Sequence, residues 1–183
     1  IINRKEFRKM ITNKHFTILI VILIAATAIS ASSFLISGVY KCEDLKVVNK
    51  SYGWTGEILK GQTRSLELFE IKAIGLFRGK GVATYTVEAG VDEMFIIMEG
   101  TAELFIKNKP KVLTKGSVAV VPQGEKVRLR NGGRKDLIYY NFRFKTGKKS
   151  TKAIAPFISQ WDTVSFKPSA NGGRRNIINS ETS

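Results

Sequence analysis

At 183 residues and 20.4 kDa, the chain is long enough for one ordinary domain with extensions at either end. A single cysteine, Cys42, excludes an intrachain disulfide framework and any multi-cysteine zinc or iron–sulfur site, and a single histidine, His15, forces any imidazole-centred mechanism through residue 15. Basic residues outnumber acidic ones by 30 to 15, a net charge of +15 that is spread unevenly along the chain.

Residues 1–15 form a basic segment in which Arg4, Lys5, Arg8, Lys9 and Lys14 face only Glu6. Residues 16–40, FTILIVILIAATAISASSFLISGVY, carry no charge at all. This run exceeds the roughly 20 residues a helix needs to cross a bilayer, so it predicts a single transmembrane α-helix. The positive flank places the N-terminus in the cytoplasm and everything after Tyr40 on the extracytoplasmic side of a cell membrane. The rival is a cleavable leader with a processing site at Ala26-Thr27-Ala28 or Ala28-Ile29-Ser30. Continuation of the apolar run through Phe34-Leu35-Ile36 favours retention. Small residues such as Ala25, Ala28, Ser30 and Ser33 would let other helices approach closely. His15 then sits at the cytoplasmic membrane edge, cut off from the exported domain. No lipobox precedes Cys42, which reads as a lone juxtamembrane thiol.

Residues 41–56 read as a linker punctuated by Gly53 and Gly56. From residue 57 to 146 the pattern is of short runs rich in β-branched and aromatic residues, SLELFEIKAIGLF, GVATYTVEA, EMFIIMEG, TAELFIKN, KVLTKGSVAVVPQG, KVRLRN and DLIYYNFRF, separated by Gly, Pro and Asn turns. No helical period intervenes, so the expectation is an all-β antiparallel sandwich or barrel. Residues 147–183 form a C-terminal extension and polar tail, where Trp161 and Phe166, with Trp54 upstream, could pack on the barrel or on a neighbour. Residues 41–183 hold 25 basic against 14 acidic residues, a net +11. Outside the cytoplasm that excess points to the lipid bilayer, subunits of a membrane complex, or an anionic surface or glycan as partners, and not to nucleic acid. Lysines scattered for solubility would give the same count.

Gly81, Glu93 and Gly100 stand at the spacing of the first motif of the cupins, G-x5-H-x-H-x3,4-E-x6-G, and Gly116, Pro122, Gly124 and Asn131 at that of the second, G-x5-P-x-G-x2-H-x3-N. Over residues 57–146 the chain resembles a small single-domain cupin, which implies a double-stranded β-helix (jelly-roll) barrel. In that family three histidines and the glutamate hold a divalent metal inside the barrel. Here the histidine positions are Val87, Ala89 and Val127, and only Glu93 remains. One carboxylate cannot replace about three protein ligands, so these four positions read as a vestigial metal site, with no metal and no other cofactor expected.

Strand alternation puts Tyr85, Val87, Phe95, Ile97, Val127 and Leu129 on the inner face, and gives Glu88 and Asp92 the wrong parity. A buried Glu93 would need a partner, from Tyr85 or from Arg128, Arg130 or Arg143. The plainer expectation is a solvated remnant at the barrel mouth. With no exported histidine a Ser-His-Asp arrangement is excluded, and no catalytic residue stands out. Two functions follow. The first is a non-catalytic, membrane-anchored module serving as an accessory subunit of a membrane complex. The alternative is metal-independent binding or processing of a small anionic ligand, such as an acidic sugar, through Tyr85, Glu93, Arg128 and Arg143.

Overall fold

The computed structural model describes residues 34–40, 44–146, 155–170 and 172–177. The basic segment, His15, Cys42 and the apolar run up to residue 33 lie outside the described residues. The run's last seven residues correct the expectation of a helix through Tyr40, because residues 34–40 are not helical. Phe34 instead forms a parallel bridge with Gln62, and the Leu35 N–H donates to the Gln62 carbonyl at 2.8 Å. A backbone committed to that sheet edge cannot also make helical bonds. Among the described residues no helix is long and apolar enough to cross a membrane. The continuation through Phe34-Leu35-Ile36 therefore no longer favours a retained anchor over a cleaved leader.

Two antiparallel sheets face each other. The larger comprises β1 (Val47–Lys50), β2 (Gly53–Gly61), β3 (Leu66–Leu76), β10 (Leu137–Thr146), β5 (Asp92–Glu99), β8 (Val118–Val121) and β11 (Phe157–Ser159), paired in that order. The smaller is β4 (Tyr85–Thr86), β9 (Lys126–Asn131), β6 (Thr101–Ile106) and β7 (Lys109–Thr114). A separate hairpin joins β12 (Phe166–Ser169) to β13 (Gly172–Arg175). The segment expected as a linker up to residue 56 thus supplies β1 and the first half of β2. The run KVLTKGSVAVVPQG is divided into β7 and β8 at a turn around Gly116, whereas only two residues of GVATYTVEA form a strand.

Alternation builds the interior. In β6 the buried residues are Ala102, Leu104 and Ile106, in β9 Val127, Leu129 and Asn131, and in β5 Glu93, Phe95 and Ile97. Every second side chain points between the sheets, as period-2 geometry requires. Together with Leu76, Val87, Leu113, Val121 and Leu137, all of these but Glu93 and Asn131 form one apolar core. Asn131, one of the seven cupin-like framework positions, is buried because its side chain completes three backbone groups. Its Nδ2 donates to the carbonyls of Leu76 and Lys135 at 2.9 and 2.8 Å, and its Oδ1 accepts from the Gly133 N–H at 2.9 Å.

The C-terminal extension is partly built into the barrel. β11 pairs with β8 and covers that edge of the larger sheet. Beyond it, the Trp161 N–H donates to the buried Ser117 hydroxyl at 3.3 Å and Gln160 Nε2 to the Val112 carbonyl at 2.6 Å. The Arg175 guanidinium lies 4.9 Å from the Trp161 ring and 5.8 Å from Phe166, tying the hairpin to residues 157–161, which form a C-terminal clasp on the larger sheet.

Candidate functional site

Three neighbouring strands write the site. On β10 the inward residues are Leu137, Tyr139, Asn141 and Arg143, in steps of two. Register places Arg143 opposite Glu70 on β3 and Glu93 on β5, Asn141 opposite Lys72 and Phe95, and Tyr139 opposite Ile74 and Ile97. The inner wall therefore grades from an apolar floor, through an amide, to a row of carboxylate, guanidinium and carboxylate at one end. From the facing sheet β4 brings Tyr85 against the same row.

The arginine commits all three of its nitrogens. Nη1 lies 3.0 Å from Glu70 Oε2, Nη2 2.8 Å from Glu88 Oε2 and Nε 3.2 Å from Glu93 Oε1. Glu93 is only 3% exposed, and its other oxygen accepts from the Tyr85 hydroxyl at 2.6 Å and from Asn141 Nδ2 at 3.1 Å. Glu70, 1% exposed, also faces the Lys72 ammonium at 2.9 Å. Such burial of charge is tolerable only because each carboxylate is paired and hydrogen-bonded.

Burial alone would raise the Glu70 carboxyl, but the bonds from Lys72 and Arg143 and the charge of Lys60 outweigh it and hold it below its ordinary value. For Arg143 burial works downward and is overcome by Glu70, Glu93 and Glu88, so the guanidinium is raised. The Tyr85 phenol is raised well above its ordinary value by burial, then by the charge and hydrogen bond of Glu93. Tyr139 is also raised, mainly by burial.

Above this row lies a cleft of about 500 Å³. Its charged lining consists of Lys72, Arg143, Glu88 and Glu93, its other polar lining includes Tyr52, Thr55, Thr86 and Asn141, and Ile74, Val82 and Phe95 give it apolar surface.

The positions that would hold a cupin metal do not fit one. Val87 and Val127 are each 1% exposed and packed in the core, while Ala89 corrects its assignment to the inner wall by lying exposed in the loop after β4. Both Glu93 oxygens are already bonded, one of them to a guanidinium that would repel a cation. Among the described residues no group of three or more His, Cys, Asp and Glu side chains is arranged to hold a metal ion.

Tyr85, Glu93 and Arg143 do converge. Glu93 is not the solvated remnant expected, because three donors hold it inside the barrel. Arg128 corrects its assignment to the barrel mouth: β9 alternation turns it outward, where its guanidinium lies 4.1 Å over the Phe105 ring. Arg130 likewise points out and pairs with Glu103. Glu88 reaches Arg143 despite its parity, because β4 ends at Thr86 and alternation does not extend into the loop. Sequence reasoning missed Glu70, Lys72, Tyr139 and Asn141. A signal for two of them was present, since Tyr139 and Asn141 precede Arg143 by four and two residues on one strand.

No protein-family model and no curated protein sequence matches the chain. Solved structures do. A Pseudomonas aeruginosa protein described as glyoxylate-induced matches with TM-score 0.58 and 13% identity, over 74% of this chain and 54% of its own. The Escherichia coli pirin YhhW, solved with nickel(II), matches with TM-score 0.52 and 14% identity over 66% of this chain and 55% of its own. KdgF from a Halomonas species gives TM-score 0.51 and 11% identity over 60% and 94%. The chain thus spans about half the length of the first two. Pirin and KdgF are cupin-family structures, and at these identities the likeness establishes the fold: this chain has a cupin fold.

Proposed function

We propose that this protein is a non-catalytic cupin module that binds a small polar molecule in its cup without a metal ion. The observation that carries this reading is Arg143, whose guanidinium lines an open cleft at the polar end of the inner wall with all three nitrogens on carboxylates. A fixed internal cation organises the inner carboxylates as a metal would, while leaving no coordination position for substrate. The basic N-terminal segment and apolar run support an extracytoplasmic location on a membrane, either anchored or after removal of a leader.

Saturation-transfer NMR on the detergent-solubilised full chain against a mixture of small polar metabolites tests the binding reading. At least one signal that persists in excess EDTA is expected. Binding that requires added metal, or no binding at all, overturns it.

The outer face of the smaller sheet favours a second reading, that of an accessory subunit. There Lys126, Arg128 and Arg130 project in a row along β9, and only Arg130 pairs with a carboxylate among the described residues. Gentle extraction from native membranes followed by a native gel checks it, because a chain running alone at its own mass has no partner complex.

A further inference from the structure

The chemical class of the ligand is written in what the cleft has already used. Both cations in its lining are committed. Arg143 is spent on Glu70, Glu88 and Glu93, and the Lys72 ammonium lies 2.9 Å from Glu70. A ligand carboxylate entering here would find Arg143 taken, would have to share Lys72 with Glu70, and would meet the like charges of Glu88 and Glu93. The sequence alone offered an anionic ligand as its alternative reading, and these pairings argue against it.

Tyr139 is what the cleft still lacks a partner for. The residue is 2% exposed, yet it lines the cleft, and its hydroxyl makes no hydrogen bond to any described residue. Tyr52 lines the same cleft close enough to influence its ionisation, and likewise has no side-chain hydrogen bond among the described residues. The Tyr139 hydroxyl is not a fully buried orphan: it opens onto the cleft, where water or a ligand can satisfy it. Thr55 and Thr86 add further hydroxyls, while Ile74 and Val82 offer apolar surface for carbon-bound hydrogens.

We infer that the ligand is an uncharged, polyhydroxylated molecule of monosaccharide to disaccharide size, hydrogen-bonded by Tyr139 and Tyr52, and that carboxylated analogues are rejected. Neutral hydroxyls donate to and accept from phenols and threonines without disturbing the arginine network. A cleft of about 500 Å³ holds a molecule of that size. This inference rests on the binding reading above and specifies its ligand.

Titration calorimetry and saturation-transfer NMR on the full chain, using D-glucose, D-galactose and D-xylose against D-glucuronate and D-galacturonate, decide it. At least one neutral sugar is expected to bind 10-fold or more tightly than its acid. Tyr139→Phe is expected to weaken that binding about 5-fold, the loss of roughly one neutral hydrogen bond. The same substitution should leave the thermal midpoint unchanged or raised, because the hydroxyl it removes makes no hydrogen bond to any described residue. A hydroxyl with a structural role would lower the midpoint instead. If an acid binds as tightly as its neutral counterpart, the neutral class is overturned while binding in the cup stands. If no sugar binds while the EDTA-resistant metabolite signal persists, the sugar class falls alone. If that signal is missing too, the binding reading falls with it.

Discussion

Arg143 decides more about this molecule than any other side chain. Replacing it with Met leaves Glu70 and Glu93 buried without their central cation, so a loss of about 3 kcal/mol or more is expected in denaturant unfolding. Arg143→Lys should recover only part of this, since an ammonium cannot span three carboxylates with a planar fork. The pH dependence follows from Glu70. Its folded pKa lies below the ordinary 4.5, so its stabilisation is complete above about pH 4.5 and is lost as pH falls through the lowered folded value. Unfolding midpoints between pH 2 and pH 6 should therefore fall on the acid side, and Glu70→Gln should flatten that fall. At the alkaline end the sign reverses. The raised Tyr85 phenol favours the native state below about pH 10, and that contribution is lost as pH climbs through its elevated value. In an ultraviolet titration of the folded protein, Tyr85 and Tyr139 are expected to lag, and Tyr85→Phe should remove one of the lagging phenols.

Among the elements, the turns and the C-terminal clasp carry the constraints. Gly100, between β5 and β6, has φ +83°, and a Cβ there would stand 2.6 Å from the Asp136 carbonyl oxygen. Gly116, between β7 and β8, has φ +84°, and a Cβ would press on Trp161 at 2.9 Å. Both positions combine a left-handed backbone with a close approach, so Gly100→Ala and Gly116→Ala should each cost more than the ~1 kcal/mol of the conformation alone. Trp161→Ala tests the clasp differently. It removes the ring under Arg175 and loosens β11 from the β8 edge, which exposes strand edge to other chains. Concentration-dependent association in light scattering is the expected outcome, with the cup intact by Tyr85 titration.

The whole molecule depends on how its N-terminal segment is used. Because residues 34–40 are not helical and Phe34 is bridged to Gln62, cleavage at either small-residue site would leave the described barrel whole. Mass spectrometry of the chain from native membranes distinguishes the two cases. The full mass marks a retained anchor, and a mass lacking about the first 28 to 30 residues marks a processed leader. The cup adds little to the net +11 after residue 40, since among the described residues the inner carboxylates neutralise Arg143 and Lys72. Salt should therefore affect any partner contact of the β9 face far more than ligand binding in the cup.

The strand pattern and the seven framework residues were enough to define a cupin-like barrel, because alternation and turn chemistry are local properties that each short segment expresses by itself. The inner placement of Val87, Phe95, Ile97, Val127 and Leu129 was legible for the same reason. The failures began where alternation stopped, at Ala89 and Glu88 in the loop after β4. They continued with Arg128, which was weighed by its charge although its neighbour Val127 already fixed it as outward. Only the tertiary structure could bring Glu70 and Glu93 to either side of Arg143, since Arg143 and Glu70 lie 73 positions apart in the chain. No local pattern encodes such a register. It is set by the packing of the whole barrel, and it puts an arginine between two buried carboxylates while the Tyr139 hydroxyl makes no hydrogen bond to any described residue.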